Sequence, residues 1–303
     1  MNQNYINNTL CLEGNVKGRK WLDSIPVLVK TYETKWGLKS KGAFPELTLN
    51  YVEKVKTNNG EYLVLKIGFP QDLDFARQAK TLKLYSGNGA AKVINEDIEN
   101  SVLLLEGCIP GKSLHTLKDE TKEVLIFTNI AKRLWRRAPE DPSFENISKA
   151  MEDFEWYLDN IIKVEKSLPK DLVVKARDLY KKLIATQKDT FLLHGDLHHD
   201  NIISSARGWL AIDPKGVIGE REFESASFIY NPYKQFSENQ ELITEKFFSH
   251  RIELIAAALR FDKHRITHWA FVKSVSSQIW SIQDFNREDK VSIKIARALE
   301  KLL

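Results

Sequence analysis

Residues 191–216 constrain this chain more than any other stretch. An apolar run, Phe191–Leu193, leads into a turn crowded with His, Asp and Asn (His194, Asp196, His198, His199, Asp200, Asn201). Ile202 and Ile203 follow, and a second apolar run, Trp209–Ile212, ends at Asp213. Short β segments separated by polar loops deliver side chains from loop tips to one place. The set delivered here is Asp196, Asn201 and Asp213: a carboxylate, an amide five residues on, and a second carboxylate after the next strand. One carboxylate can take a hydroxyl proton. The amide and the second carboxylate can hold Mg²⁺ on a nucleotide, so the layout is the one phosphoryl transfer needs.

The 303 residues suffice for one large domain or two lobes with sizeable cores. The net charge of +4 is too small an excess to imply nucleic acid. The basic cluster Lys132-Arg133-Leu134-Trp135-Arg136-Arg137 reads as a solvated helix face. Cys11 and Cys108 form no CxxC and no zinc spacing, which points to a reduced, cytoplasmic setting. The first residues lack the pattern of a signal peptide. No stretch reaches the roughly 18 apolar residues of a membrane span.

The first third is β-rich. Residues 17–34 have helical spacing (Trp21, Leu22, Ile25, Leu28, Val29), with Pro26 expected to kink or end the helix. The alternation Leu47-Thr48-Leu49-Asn50-Tyr51 suggests a strand leading to Val52–Lys56. Asn59-Gly60 then marks a hairpin with Tyr62–Ile67. In that second strand Lys66 shares a face with Tyr62 and Val64, opposite Leu63, Leu65 and Ile67. It reads either as a lysine snorkelling at an edge or as one reaching nucleotide phosphates, with Val64 covering the base.

A helix follows from Pro70-Gln71-Asp72 to Tyr85, closed by Ser86-Gly87-Asn88-Gly89. Its stripe Phe75, Gln78, Leu82, Tyr85 carries one amide that needs a partner. Strands are expected at Ala91–Asn95 and Ser101–Glu106. Gly107–Ser113 has three residues between its glycines where a P-loop has four, so it reads as a connector into a helical region. Backbone groups of such a linker are free to hydrogen-bond a base.

From Asp119 onward the pattern is mostly helical. Val124, Phe127, Ile130, Ala131 and Leu134 form one apolar face, and helices are expected at 148–167, 171–187, 240–260 and 265–283. Two other readings compete for the His/Asp turn. His194 and His198 could be an i, i+4 metal-ligand pair of a hydrolase, although Gly195 and the preceding apolar run favour a loop. Polar loops also carry His and Asp in capping roles. No GxSxG is present to support a nucleophilic triad.

The run His194-Gly195-Asp196-Leu197-His198-His199-Asp200-Asn201 resembles the HGDLHxxN signature of the aminoglycoside phosphotransferases. The segment Ala211–Glu220, then Phe223-Glu224 and Asn231-Pro232, resembles the streptomycin 6-phosphotransferase and hydroxyurea phosphotransferase branch. So do Leu103–Glu106 with Pro110-Gly111, and Leu259–Asp262 with Arg265-Ile266 and Trp269-Ala270. The resemblance spans roughly residues 40–285. It implies an α+β, bilobal, protein-kinase-like fold, with a β-rich nucleotide-binding lobe over 1–106 and a helical lobe over 107–303. It implies Asp196 as catalytic base, Asn201 and Asp213 as Mg²⁺ ligands, Lys66 as phosphate lysine, and a Glu106–Cys108–Ile109 hinge holding the base of ATP (GTP being the alternative). The acceptor implied is a small hydroxylated molecule; a cationic one would suit acids at the cleft, for which Asp200, Glu220, Glu222 and Glu224 are candidates. Gln78 stands where the family carries a glutamate for Lys66, Glu220 and Glu224 replace the usual aspartates, and Ser40–Ala43 is the only candidate glycine loop. Gln78 motivates an alternative, a nucleotide-binding regulatory pseudokinase.

Overall fold

The computed structural model describes residues 16–45, 47, 49–70, 72–164, 168–285 and 289–303. Cys11, Thr48 and Gln71, all named above, lie outside them. The chain divides into two compact units: residues 1–111 with 204–210, and residues 112–203 with 211–303.

The first unit pairs helices with an antiparallel sheet. Helix α1 (Val16–Trp36) precedes strands β1 (Leu38–Ala43), β2 (Tyr51–Thr57) and β3 (Tyr62–Ile67). Helix α2 (Leu73–Tyr85), β4 (Val93–Asp97) and β5 (Val102–Glu106) follow, and the sheet order is β1-β2-β3-β5-β4. Leu63, Leu65 and Ile67 bury one face of β3 in a core with Trp21, Ile25 and Tyr32 of α1. Full burial of each such side chain stabilises by roughly 1.5–3 kcal/mol. Tyr62, Val64 and Lys66 occupy the opposite face, as the period-two pattern requires.

Two features differ from the simplest reading of the sequence. Helix α1 runs through Pro26 without ending. Pro26 lies on its exposed face, where water can take the carbonyl that the missing N–H leaves. The strand before β2 is Leu38–Ala43; Leu47, Leu49 and Asn50 lie outside any strand, and Tyr51 opens β2. Only Leu38 of β1 is buried, so this lysine-bearing edge strand shows no alternation to read. The candidate phosphate loop Ser40–Ala43 is part of that strand, at a register shift against β2.

The second unit is mostly helical: α3 (Glu120–Leu134), α4 (Met151–Val164), α5 (Lys170–Ala185), α6 (Arg221–Ile229), α7 (Tyr233–Glu238), α8 (Glu245–Leu259), α9 (Lys263–Phe285) and α10 (Lys290–Glu300). All five residues of the apolar stripe on α3 are buried. The basic cluster closes the same helix. Lys132 donates to the Ala258 carbonyl and Arg136 to those of Arg133 and Trp135, cations set against a helix C-terminus. Helix α6 is hard to read in the sequence, because its buried run Glu224–Ile229 includes Glu224, Ser225 and Ser227, so polarity there does not mark a solvent face.

A small sheet frames the functional loop, in the order β6 (Arg136–Arg137), β8 (Phe191–Leu193), β11 (Val217–Gly219), β7 (Glu145–Asn146). A hairpin of β9 (Ile202–Ser205) and β10 (Gly208–Ala211) separates β8 from β11 in sequence, and its tip belongs to the first unit. Among the described residues no helix is long and apolar enough to cross a membrane.

Candidate active site

The loop leaving β8 turns on Gly195, at φ +80°, which only glycine adopts cheaply; an added Cβ would lie 2.8 Å from Val217. His194 is fully buried just before it. Its Nε2–H donates to the Ile212 carbonyl (2.8 Å) and its Nδ1 accepts the Asp196 N–H (3.3 Å). The Lys215 N–H donates to the His194 carbonyl at 2.8 Å, which ties the Asp213 loop to the Asp196 loop. His194 is therefore an organiser, committed at both ring nitrogens, and not a metal ligand.

Burial lowers the His194 pKa from 6.5 to about 4 against the bond to Ile212 and the nearby acids. The unfolded chain thus binds a proton that the folded chain refuses. About 3 kcal/mol of stability, full above pH 6.5, should be lost as pH falls through 4. Urea denaturation between pH 7.5 and 4 checks this against His194→Asn, which has no such titration. Equal pH slopes in the two proteins would refute it.

Glu224, fully buried on α6, caps the loop from below: its two oxygens accept the N–H groups of His194 (2.8 Å) and Gly195 (2.9 Å). Lys273 of α9, 3% exposed, donates to the Gly195 carbonyl. Burial drives Glu224 up and Lys273 down, and each opposes the other's shift by its charge.

Asp196 projects from this scaffold with its side chain about 26% exposed. Ser227 Oγ donates to Oδ1 (3.1 Å), while His198 Nε2 and Lys215 Nζ stand 3.9 and 4.0 Å from Oδ2. Burial alone would raise its pKa, but Lys215, His198 and Lys273 outweigh it and hold the carboxyl well below the usual range. Asp196 is thus ionised at neutral pH. Asn201 donates its Nδ2–H to the Asp196 carbonyl (2.9 Å), which leaves its amide oxygen as a donor atom for a cation. Asp213 closes β10 in the left-handed region, φ +56°, a conformation that functional sites retain at a cost. An amide and a carboxylate oxygen suit Mg²⁺, which completes its octahedron with phosphate and water. Among the described residues no three His, Cys, Asp or Glu group to hold a metal by themselves, and His194 and His198 share no helix. The zinc-hydrolase alternative finds no ligand set among the described residues.

A cavity of about 340 Å³ adjoins Asp196. Lys215, Tyr230, Tyr233, Trp280 and Asp289 line it together with serines of α9. Lys215 Nζ lies 4.6 Å over the Trp280 ring. Burial, together with the hydrogen bond to Asp289, pushes the Tyr233 phenol up. None of these aromatic residues was singled out in the sequence, where a Tyr or Trp at helical spacing reads as core.

Asp200, Glu220 and Glu224, expected to face the acceptor, each have partners within the protein. Glu220 is 5% exposed, in a two-point pair with Arg265 (2.7 and 2.7 Å), and also accepts the Trp269 indole. Glu224 holds the loop amides. Asp200 bonds His115 Nδ1 (2.7 Å) and Ser113 Oγ (3.0 Å). Asp289 is the acid that joins Asp196 in lining the cavity.

In the first unit Lys66 is 3% exposed, beside the half-buried Val64. Gln78 is buried on α2 with an Oε1 that makes no hydrogen bond. At the end of β5, Gly107 packs so tightly that a Cβ would sit 2.1 Å from the Tyr62 carbonyl, and any side chain would force the strand apart. Burial would raise Glu106, but Arg207 (2.7 and 2.5 Å) and the Lys92 amide hold it low. Arg207, from the hairpin tip, went unnoticed in the sequence because its partners lie about a hundred residues away. Burial pushes the Cys108 thiol up to about 11, so it stays protonated, and Ile109 is exposed.

A β-rich unit, a helical unit and a loop of this kind define the protein-kinase-like fold. The solved amicoumacin kinase hAmiN, in complex with AMP-PNP, Ca²⁺ and Ami, superposes with a TM-score of 0.64 at 17% identity, covering 96% of each chain. The chain belongs to the aminoglycoside/hydroxyurea antibiotic resistance kinases, whose family model matches residues 35–284. It is 23% identical to the streptomycin 6-kinase of Streptomyces griseus over 95% of this chain and 93% of that protein. It is 24% identical to the hydroxyurea phosphotransferase of Kitasatospora aureofaciens over 89% and 77%. It is a small-molecule kinase, a phosphotransferase with an alcohol group as acceptor.

Proposed function

We propose that this kinase uses ATP and Mg²⁺ to transfer the γ-phosphoryl group to a hydroxyl of a cationic, aminoglycoside-like acceptor of the streptomycin type. The observation that carries the reading is the ionised Asp196 at the wall of a cavity lined by aromatic rings and a second acid, Asp289. Rings and carboxylates recognise amino and guanidino groups. The streptomycin 6-kinase relatives support that acceptor class.

In this mechanism the acceptor hydroxyl donates to Asp196 Oδ2, while Ser227 on Oδ1 keeps the carboxylate from turning. A carboxylate held at low pKa is a weak base. Asp196 therefore acts first by orienting the hydroxyl and takes its proton late, as suits a loose phosphoryl transition state. Lys215 offsets negative charge beside it. Asn201 and Asp213 hold Mg²⁺, which when bound neutralises charge on the phosphate oxygens. Lys66 rests on the phosphates, Val64 covers the base, and backbone groups of Glu106, Cys108 and Ile109 hydrogen-bond its edge.

The buried, incompletely bonded Gln78 favours a second reading, a nucleotide-binding regulator. Incubation with labelled ATP or GTP, with and without Mg²⁺, against aminoglycosides, hydroxyurea and hydroxylated amines separates the two. Label on a streptomycin-type acceptor, dependent on Mg²⁺, is expected. Nucleotide binding with no transfer to any acceptor would overturn the proposal in favour of the regulator.

A further inference from the structure

Lys273 is a buried cation to which the mechanism above assigns no role. It sits on α9 at 3% exposure, with Nζ donating to the Gly195 carbonyl and lying 4.4 Å over the Phe223 ring. The charges that face it are Glu224 of α6, Asp196 of the loop and Lys215 of the Asp213 segment. A buried ammonium is costly unless paired, and any of several apolar residues would fill that space without the cost.

The position of Lys273 on its helix suggests why it is kept. Ser274, Ser277, Trp280 and Ser281 of the same helix line the cavity beside Asp196. Lys273 and Ser277 are four residues apart, and Trp280 follows three later, so the three lie along one face. The Gly195 carbonyl belongs to the peptide that leads into Asp196. Helix α9 thus both walls the acceptor cavity and grips the base's own peptide.

We infer that Lys273 is a positioning residue, which sets the distance between the acceptor wall and the Asp196 carboxylate. Glu224 fixes the loop through its N–H groups, and Lys273 fixes the next carbonyl from the opposite element. Gly195 is thereby held at both its N–H and its C=O. Geometry of this kind governs turnover more than binding, since an error of about 1 Å in reacting groups costs about 100-fold in rate.

This inference rests on the kinase reading for its rate measurement but not for its structural one. In Lys273→Met, kcat should fall roughly 10–100-fold per folded molecule. The nucleotide Kd should stay unchanged, and amide hydrogen exchange should quicken in 191–198 more than elsewhere. A wild-type kcat, or exchange unchanged in that loop, overturns the inference. If the unpaired Glu224 prevents folding, the same change is made in Glu224→Gln, where it removes the last buried charge of the pair. The double variant should then be more stable than Glu224→Gln yet slower, and a double variant as fast as the single one overturns the inference. If the wild type transfers no phosphate to any acceptor, the kinase reading fails, and loop exchange alone decides the role of Lys273.

Discussion

Asp196→Asn is expected to lower the kcat of phosphoryl transfer about 10³-fold while nucleotide affinity stays within about two-fold of wild type. The substitution is nearly isosteric. The new side chain still offers Ser227 an oxygen, so the loop keeps its shape. What it loses is the second oxygen, the one 4 Å or less from His198 and Lys215. An amide nitrogen there cannot receive a hydroxyl proton, and it turns a donor toward the Lys215 ammonium that the carboxylate had balanced. Positioned acid–base groups supply about 10²–10⁴ in rate, and the ionised state of Asp196 puts this case within that range. Nucleotide affinity is read by calorimetry and transfer by labelled ATP on the same preparation. Turnover within ten-fold of wild type would remove Asp196 as the base.

Glu224→Ala should destabilise the protein by about 3–5 kcal/mol, a fall in melting temperature on the order of 10 °C. The side chain is fully buried and has two separable roles. It accepts two buried N–H groups, at His194 and Gly195, and each left unpaired costs about 1–3 kcal/mol. It also supplies counter-charge to Lys273. Removing one member of a buried pair leaves the other charge without compensation, which is why truncation costs more than the pair was worth. Urea or thermal denaturation of the single variant checks the magnitude. A loss under about 1 kcal/mol would mean that the loop amides and Lys273 find other partners.

Much of the fold was legible because local chemistry decides it. The inward face of β3 and the stripe of α3 follow from a period that burial on one side imposes, and the Asn59-Gly60 hairpin from a turn that needs positive φ. Helix α6 and strand β1 were not legible, the first because its buried residues include Glu and Ser, the second because almost none of it is buried. The loop from His194 to Asn201 was readable as a loop after a strand, with Asp196 and Asn201 on it and Asp213 beyond the following hairpin. The acids around it were not. From sequence, Asp200, Glu220 and Glu224 are simply carboxylates near a motif; only packing shows that His115, Arg265 and two backbone amides have already taken them.

The sequence by itself determined most of the order of the elements and the residue types on the functional loop. Those depend on spacing along the chain, and spacing is visible in one dimension. Tertiary structure alone decided which charges are spent and which are available. Lys273 reaches Gly195 across 78 residues, Glu220 reaches Arg265 across 45, and Asp289 comes to the Asp196 cavity from the start of the last helix. A charge is neutralised by whatever folds against it, so its role is set by contacts that no local pattern records.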